Sequence, residues 1–156
     1  MSRVTQGTVG WVVLAGAVGA TFDITYAILY YGWKGIAAER ILHTIASGLL
    51  GKAAFDGGLP VAVLGLALHY GIVIVAAAIF LAAARRIAWL HEEPVVAGAL
   101  FGLAIYGFMN FVVLPLSAFP FKQQFTLLTT ATGVLVHMFL IGVPIALITR
   151  RANSRR

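Results

Sequence analysis

The sequence predicts an all-α integral membrane protein whose four transmembrane helices form a two-plus-two tandem repeat. Hydrophobic residues make up 61% of the 156 residues and charged residues only 10%, a balance far from that of soluble domains. The chain also contains four long apolar stretches separated by short polar connections. A helix of about 20 apolar residues is long enough to cross the hydrocarbon core of a bilayer. The lipid bilayer is therefore the first expected partner.

We predict a single membrane domain over residues 1–156, with spans over residues 9–31, 60–84, 94–117 and 126–149. Between the first two spans, residues 37–55 place apolar and polar side chains on opposite faces of a helical wheel. This pattern predicts an amphipathic helix that lies in the outer interface or caps the bundle. His43 lies on its polar face, where we expect it to be solvated.

Lysine and arginine residues flank the predicted spans unevenly. Seven lie on one side of a four-span arrangement, namely Arg3, Arg85, Arg86, Arg150, Arg151, Arg155 and Arg156. Four lie on the other side, namely Lys34, Arg40, Lys52 and Lys122. By the positive-inside rule, the first side and both termini are predicted to be cytoplasmic. The net charge of +6 is thus an orientation signal, and no nucleic-acid partner is expected.

His69 and His137 lie inside the second and fourth predicted spans, in matching surroundings. Each follows a glycine by four residues, Gly65 and Gly133, and each apolar segment ends in a pair of arginines. Ionisable residues inside a membrane are rare and costly, so they are candidates for function. The match also indicates a parallel tandem repeat of two helical hairpins.

Each predicted span carries one strongly polar side chain. Residue counts from the span ends, at about 1.5 Å per residue, place all four at similar depth in the outer half of the membrane. We call this predicted set the polar layer; it consists of Asp23, His69, Asn110 and His137. The third-span segment Gly107-x-x-Asn110 matches Ala20-x-x-Asp23 of the first span, which extends the predicted repeat to these two helices.

Two further sets of residues support the predicted site. Thr126 and Thr130 precede His137 on one face of the fourth span, and we predict that they form an access stripe from the outer surface. Small residues let helices approach closely in membranes. The glycines predicted to do so are Gly16, Gly19, Gly65, Gly102 and Gly133. In the third and fourth spans, Pro115 and Pro144 are expected to cause bends, because proline lacks a backbone N–H.

Three functions remain open for the polar layer. It could form a proton or small-solute pathway, because Asp and His side chains can titrate near physiological pH once their surroundings perturb them. Since four helices enclose little space, a pathway would favour a homo-oligomer. Alternatively, His69 and His137 could ligate haem b axially, or bind a metal together with Asp23. The third function is structural, a hydrogen-bond network that stabilises the bundle without catalysis. Hydrolysis is disfavoured, because neither H-E-x-x-H nor G-x-S-x-G occurs in the sequence.

Three segments, FDITYAILYYGWKG, ERILHTIASGLLGKAAFDGG and FMNFVVLPLS, resemble the YagU-like group of small bacterial inner-membrane proteins of unknown function. The resemblance covers most of residues 10–145 and includes the amphipathic insert after the first span. It implies a bacterial inner-membrane location. Through the association of YagU with acid resistance, it also implies proton handling. The resemblance supplies no established catalytic or binding residues.

Overall fold

Four long helices account for most of the chain in the computed structural model, which describes residues 3–153 and, for side chains, residues 7–152. Each of the four is long and apolar enough to cross a membrane, and the described residues contain no β-strand. We name them the first span (Arg3–Trp33), the second span (Gly58–Ala84), the third span (Pro94–Leu116) and the fourth span (Leu127–Ala152). The predicted all-α class with four membrane-length helices is confirmed.

Shorter elements connect the spans. The short outer helix (Ala38–Leu50) and a 3₁₀ helix (Gly51–Asp56) lie between the first and second spans. A single helical turn (Trp89–Glu92) joins the second span to the third. We call the end of the bundle that carries this turn and the start of the first span the inner end, and the opposite end the outer end. Arg155 and Arg156, which were assigned to the inner side, lie outside the described residues.

The inner half of the bundle is a closed apolar core. The second span packs on the first, the first on the fourth, and the fourth on the third. Phe80 and Ile145 are fully buried there, and the Phe80 ring lies 5.0 Å from the Phe101 ring of the third span. The buried Thr149 hydroxyl donates a hydrogen bond to the Ile145 carbonyl of its own helix. All four spans therefore contribute to the closed apolar core in the inner half of the bundle.

The outer half is much less tightly packed. None of the described residues 103–116 and 127–135 is buried. The first span packs against the inner part of the fourth, His137–Asn153, while the outer part, Leu127–Val136, packs against the third. The four helices thus converge at the inner end and leave the outer halves of the third and fourth spans largely unburied.

Pro115 and Pro144 each follow a widened stretch of helix. The third span has π geometry over Met109–Val113, and the fourth over His137–Gly142. In both, the residue just before the proline donates its backbone N–H to the carbonyl five residues earlier. A proline ring clashes with the carbonyl four residues before it, and one wider turn relieves that clash. Pro115 and Pro144, which were expected to bend their helices, are therefore each preceded by a π turn.

The short outer helix joins the two halves of the bundle. A Cβ placed on Gly65 of the second span would collide with the carbonyl of Leu42, so the two backbones are in direct contact. At the other end of the helix, the N–H of Ala118 donates to the Gly48 carbonyl over 2.9 Å. The helix therefore crosses the outer end from the second span to the residues that follow the third span.

Residues from both predicted faces of the short outer helix are buried, among them Ile41 of the apolar face. His43 is 7% exposed and Ser47 is fully buried, whereas Leu49 on the apolar face is 61% exposed. The prediction that His43 is solvated is therefore wrong, because its Nε2–H donates to the Gly58 carbonyl at the start of the second span, over 2.8 Å. The location of this helix in a membrane interface stays a prediction.

The first and second spans form one helical hairpin, the third and fourth spans form another, and the two hairpins pack with the same spacings. In each, the histidine and the residue five positions after it contact two small residues that are four positions apart. The contacts are His69–Ala20, Ile74–Gly16, His137–Gly102 and Gly142–Gly98. The contact at His69 is made by its ring nitrogen and the one at His137 by its backbone carbonyl, so the match of Asp23 with Asn110 stays a prediction. The shared spacing favours a relation between the histidine-bearing spans, while the tandem repeat itself stays a prediction.

Candidate functional site

Asp23 and His69 form a contact between the first and second spans. Nε2 of His69 lies 3.0 Å from the Ala20 carbonyl oxygen and 3.7 Å from Oδ2 of Asp23. The side chains of His69 and Asp23 are 12% and 18% exposed. Asp23 is also the only acidic residue within the four spans. The imidazole thus bridges one turn of the neighbouring helix and lies beside the carboxylate.

The hydrogen bond to Ala20 determines the tautomer of His69. A carbonyl oxygen only accepts hydrogen bonds, so Nε2 carries the hydrogen, and Nδ1 of the neutral ring is left with a lone pair. A proton taken up at Nδ1 would make the ring an imidazolium next to the carboxylate of Asp23. The pair therefore offers two hydrogen-bond acceptors, Nδ1 of the neutral His69 and the carboxylate of Asp23.

His137 is held by its own helix and by the third span. Its Nδ1–H donates to the Gly133 carbonyl over 2.9 Å, which leaves Nε2 as an acceptor. The ring of Tyr106 lies edge-on to the imidazole, with centroids 5.3 Å apart. A Cβ on Gly133 would come within 2.7 Å of the Tyr106 ring. Gly133 therefore makes room for the aromatic side chain that contacts His137.

Asp23 and His137 lie at the same level of the bundle. Gly19 of the first span faces the backbone of Ile141 in the fourth, since a Cβ on this glycine would lie 3.5 Å from the Cα of Ile141. Asp23 is four residues further out than Gly19, and His137 is four residues further out than Ile141. The structure therefore brings Asp23 into contact with His69 and aligns His137 with this pair.

Asn110 lies further out than these three residues. Its Nδ2 donates to the Tyr106 carbonyl of its own helix over 2.8 Å. The third span meets His137 at Gly102, and Asn110 is about 12 Å beyond that glycine along the helix axis. Of the predicted polar layer, Asn110 is thus the member that the structure does not bring to the level of the others.

Thr126 has a structural role at the start of the fourth span. Its hydroxyl accepts a hydrogen bond from the backbone N–H of Thr129, and the Thr129 hydroxyl accepts one from the N–H of Thr126. This reciprocal arrangement is a capping box, which the Thr-x-x-Thr spacing could have indicated. Thr130 is half-buried one turn further in. The role of Thr126 and Thr130 as an access stripe stays a prediction.

The predicted packing glycines lie at close helix contacts. A Cβ on Gly16, Gly65 or Gly102 would clash with the backbone of a facing helix, whereas Gly19 allows ordinary contact with Ile141. Sequence reasoning missed Gly142, whose carbonyl oxygen would lie 2.7 Å from a Cβ on Gly98. The small-xxx-small spacing of the third span signals a close contact, but only the structure shows its partner.

The two histidines do not fit a haem clamp in this arrangement. Nε2 of His69 is directed at the first span, whereas His137 retains a free Nε2 beside the third. Among the described residues, no three His, Cys, Asp or Glu side chains come together as a potential metal site. The two histidines therefore do not fit a shared haem, and the described residues do not fit a metal ion.

Comparisons with protein family models, curated proteins and solved structures return no match for this chain. The fold and the site define a class: a helical protein with four membrane-length helices and a partly buried Asp–His pair between two of them.

Proposed function

We propose that the protein handles protons in a membrane and that Asp23 and His69 form its protonation couple, within a pathway for protons or a proton-coupled small solute. The observation that supports this is the 3.7 Å approach of Oδ2 of Asp23 to Nε2 of His69, between two different spans. An isolated carboxylate in an apolar surrounding is strongly unfavourable, so Asp23 is stabilised either by a proton or by a cation.

Proton uptake at this couple changes the contact between the first and second spans. With a neutral His69, the carboxylate of Asp23 has only a distant N–H at 3.7 Å. With an imidazolium, the same contact becomes an attraction between opposite charges, and a proton on Asp23 removes that attraction. A group whose protonation alters a helix–helix contact is suited to couple proton binding to a change of packing.

The packing favours entry from the outer end. The couple lies between the closed inner core around Phe80 and Ile145 and the unburied outer halves of the third and fourth spans. Passage to the inner end requires the second hairpin to move against the first, as in carriers that alternate their access. The π turns at Met109–Val113 and His137–Gly142 are the positions where such movement is easiest, because their hydrogen bonding is irregular.

The setting of this function is also a proposal. The arginine excess at the inner end supports a bacterial inner-membrane protein with cytoplasmic termini. Only 6% of the most apolar part of the third span is buried. This exposed helix surface supports association into a homo-oligomer. Membership of the YagU-like group rests on the three quoted segments, and its association with acid resistance agrees with proton handling.

The test is proton flux into vesicles that contain the purified protein and a pH-sensitive dye. We expect an imposed pH gradient to collapse faster than in protein-free vesicles, and Asp23→Asn and His69→Gln to abolish the difference. Asn110→Ala is the matched control, since this residue is also polar and half-buried but bonds only its own helix; it should retain flux. Absence of flux with the unaltered protein would refute the proposal.

The structural function makes a different prediction in the same experiment. If the Asp23–His69 contact only stabilises the bundle, both substitutions lower the unfolding temperature and leave flux unchanged. Measuring thermal unfolding of each variant beside its flux therefore separates the two functions.

A further inference from the structure

Two tyrosines of the first span form an aromatic stack, and the ammonium group of Lys34 contacts it. The rings of Tyr26 and Tyr30 are nearly parallel, at 14°, with centroids 5.4 Å apart. Nζ of Lys34 lies 4.0 Å from the centroid of the Tyr30 ring and donates to its hydroxyl over 2.8 Å. An ammonium over the electron-rich face of an aromatic ring is a favourable electrostatic contact.

The only carboxylate of the four spans lies at the inner end of this stack. Asp23, Tyr26 and Tyr30 fall on one face of the first span, because they are spaced by three and four residues. Lys34 covers the outer end of the stack, on the Tyr30 side. The ring of Tyr26 is therefore the one nearer to the turn of Asp23, and both residues are only partly exposed.

We propose that Asp23 and the Tyr26–Tyr30 stack form a binding site for an organic cation, a protonated amine or a quaternary ammonium-like compound with an apolar body. This names the solute of the pathway proposed above and rests on that function. The positive group of the ligand lies at the carboxylate, and its apolar body lies along the two rings. Asp23 and Tyr30 are about 10 Å apart along the helix axis. A ligand that reaches from the carboxylate to the outer ring therefore has about this length.

The chemistry of the surroundings selects a cation over an anion or a neutral solute. Asp23 can only accept hydrogen bonds when ionised, and Nε2 of His137, which lies at the same level of the bundle, is also an acceptor. Tyr106 of the third span adds a further aromatic face at this depth. Lys34 occupies the outer ring as a built-in competitor, so its removal frees part of the aromatic surface for a ligand.

The experiment measures binding of tetraphenylphosphonium, a permanent organic cation, to the full chain in detergent by equilibrium dialysis. Triphenylphosphine oxide, which is apolar but neutral, is the control ligand. We expect the cation to bind and the neutral compound to bind at least about tenfold more weakly, with Asp23→Asn weakening cation binding by a similar factor or more. Tyr30→Leu should weaken it several-fold.

Lys34→Gln provides a test that does not depend on a buried substitution. Lys34 is exposed, so the variant should fold, and loss of the competing ammonium should strengthen cation binding a few-fold. Trp33→Leu is the matched control, because Trp33 is an aromatic residue of the same turn that is 85% exposed; its binding should equal that of the unaltered protein.

The proposal is overturned by equal binding of the charged and neutral ligands, or by no binding of either. It is also overturned if Lys34→Gln and Trp33→Leu bind the cation alike. Binding requires no proton movement, so cation binding without proton flux would reject the protonation couple and keep the ligand site. Flux without cation binding would reject the ligand site alone.

Discussion

At the scale of single residues, glycine sets how closely the helices approach. Gly65 and Gly71 lie on the same span, six residues apart, and make opposite contacts. A Cβ on Gly65 would collide with the Leu42 carbonyl and come within 3.3 Å of the Ala46 nitrogen, whereas one on Gly71 would have nothing within 4 Å. The atoms facing Gly65 belong to backbone, which cannot rotate away as a side chain can.

Gly65→Ala should therefore destabilise the protein, by about 1–3 kcal/mol, the usual cost of overpacking a close contact. Gly71→Ala should be neutral or slightly stabilising, because alanine is the better helix former. Unfolding of both variants in micelles, followed by circular dichroism, measures the difference. Equal stability of the two variants would show that the short outer helix is not seated on Gly65.

Single polar residues show where inference from the sequence stops. The candidates Asp23, His69 and His137 could be found because an ionisable side chain in an apolar stretch is conspicuous. From the sequence, their depth in the membrane and that of Asn110 can be predicted only by counting residues from the span ends. The real level depends on which residues of neighbouring helices face each other, such as Gly102 and His137, and no local pattern encodes that register.

At the scale of elements, the short outer helix is partly covered on both of its faces, since Ile41 and Ala46 are buried together with two polar residues. His43 and Ser47 are covered by the bundle, and Leu49 is turned outward. An exposed leucine such as Leu49 gains nothing in water, so we expect this side of the helix to meet lipid. Helical periodicity could predict the two faces, but it could not tell which residues of each face the bundle would cover.

A nitroxide label can identify the medium around this helix. On Leu49→Cys the label should be more accessible to oxygen, which concentrates in lipid, than to a water-soluble nickel chelate. Lys52→Cys is the comparison, because Lys52 is exposed on the adjoining 3₁₀ helix; its label should show the reverse preference. Power-saturation EPR in vesicles measures both. Protection of the Leu49 label from both reagents would contradict the orientation.

Helix boundaries were more predictable than helix faces. The second and third spans, expected over residues 60–84 and 94–117, are found at Gly58–Ala84 and Pro94–Leu116, whereas the first, expected over 9–31, is the helix Arg3–Trp33. Such boundaries follow from hydropathy and from the Gly and Pro residues at the ends, which are local properties. The π turns were not predicted, because a proline signals that a bond is lost but not how the helix compensates.

At the scale of the whole molecule, basic residues separate along the bundle axis. Arg85 and Arg86 lie at the inner end, together with Arg150 and Arg151, while Lys52 lies at the outer end. In an inner membrane this asymmetry should place the inner end in the cytoplasm. The same asymmetry would orient the proposed cation site towards the cell exterior.

Cysteine labelling tests this orientation without background, because the chain contains no cysteine. Lys52→Cys in intact cells should react with a membrane-impermeant maleimide. Arg86→Cys, which is equally exposed, should react only after the membrane is permeabilised. The opposite labelling pattern would invert the protein and place the open half of the bundle in the cytoplasm.

The hairpin contacts have a consequence for the order of assembly. The bonds from His43 to Gly58 and from His69 to Ala20 lie within the first 84 residues. The nascent chain can therefore place His69 beside Asp23 before the ribosome has made the third span. The second hairpin then docks on a finished surface through Ile141 and Ala118. The carboxylate of Asp23 is therefore not left in the membrane without a partner while the third and fourth spans are synthesised.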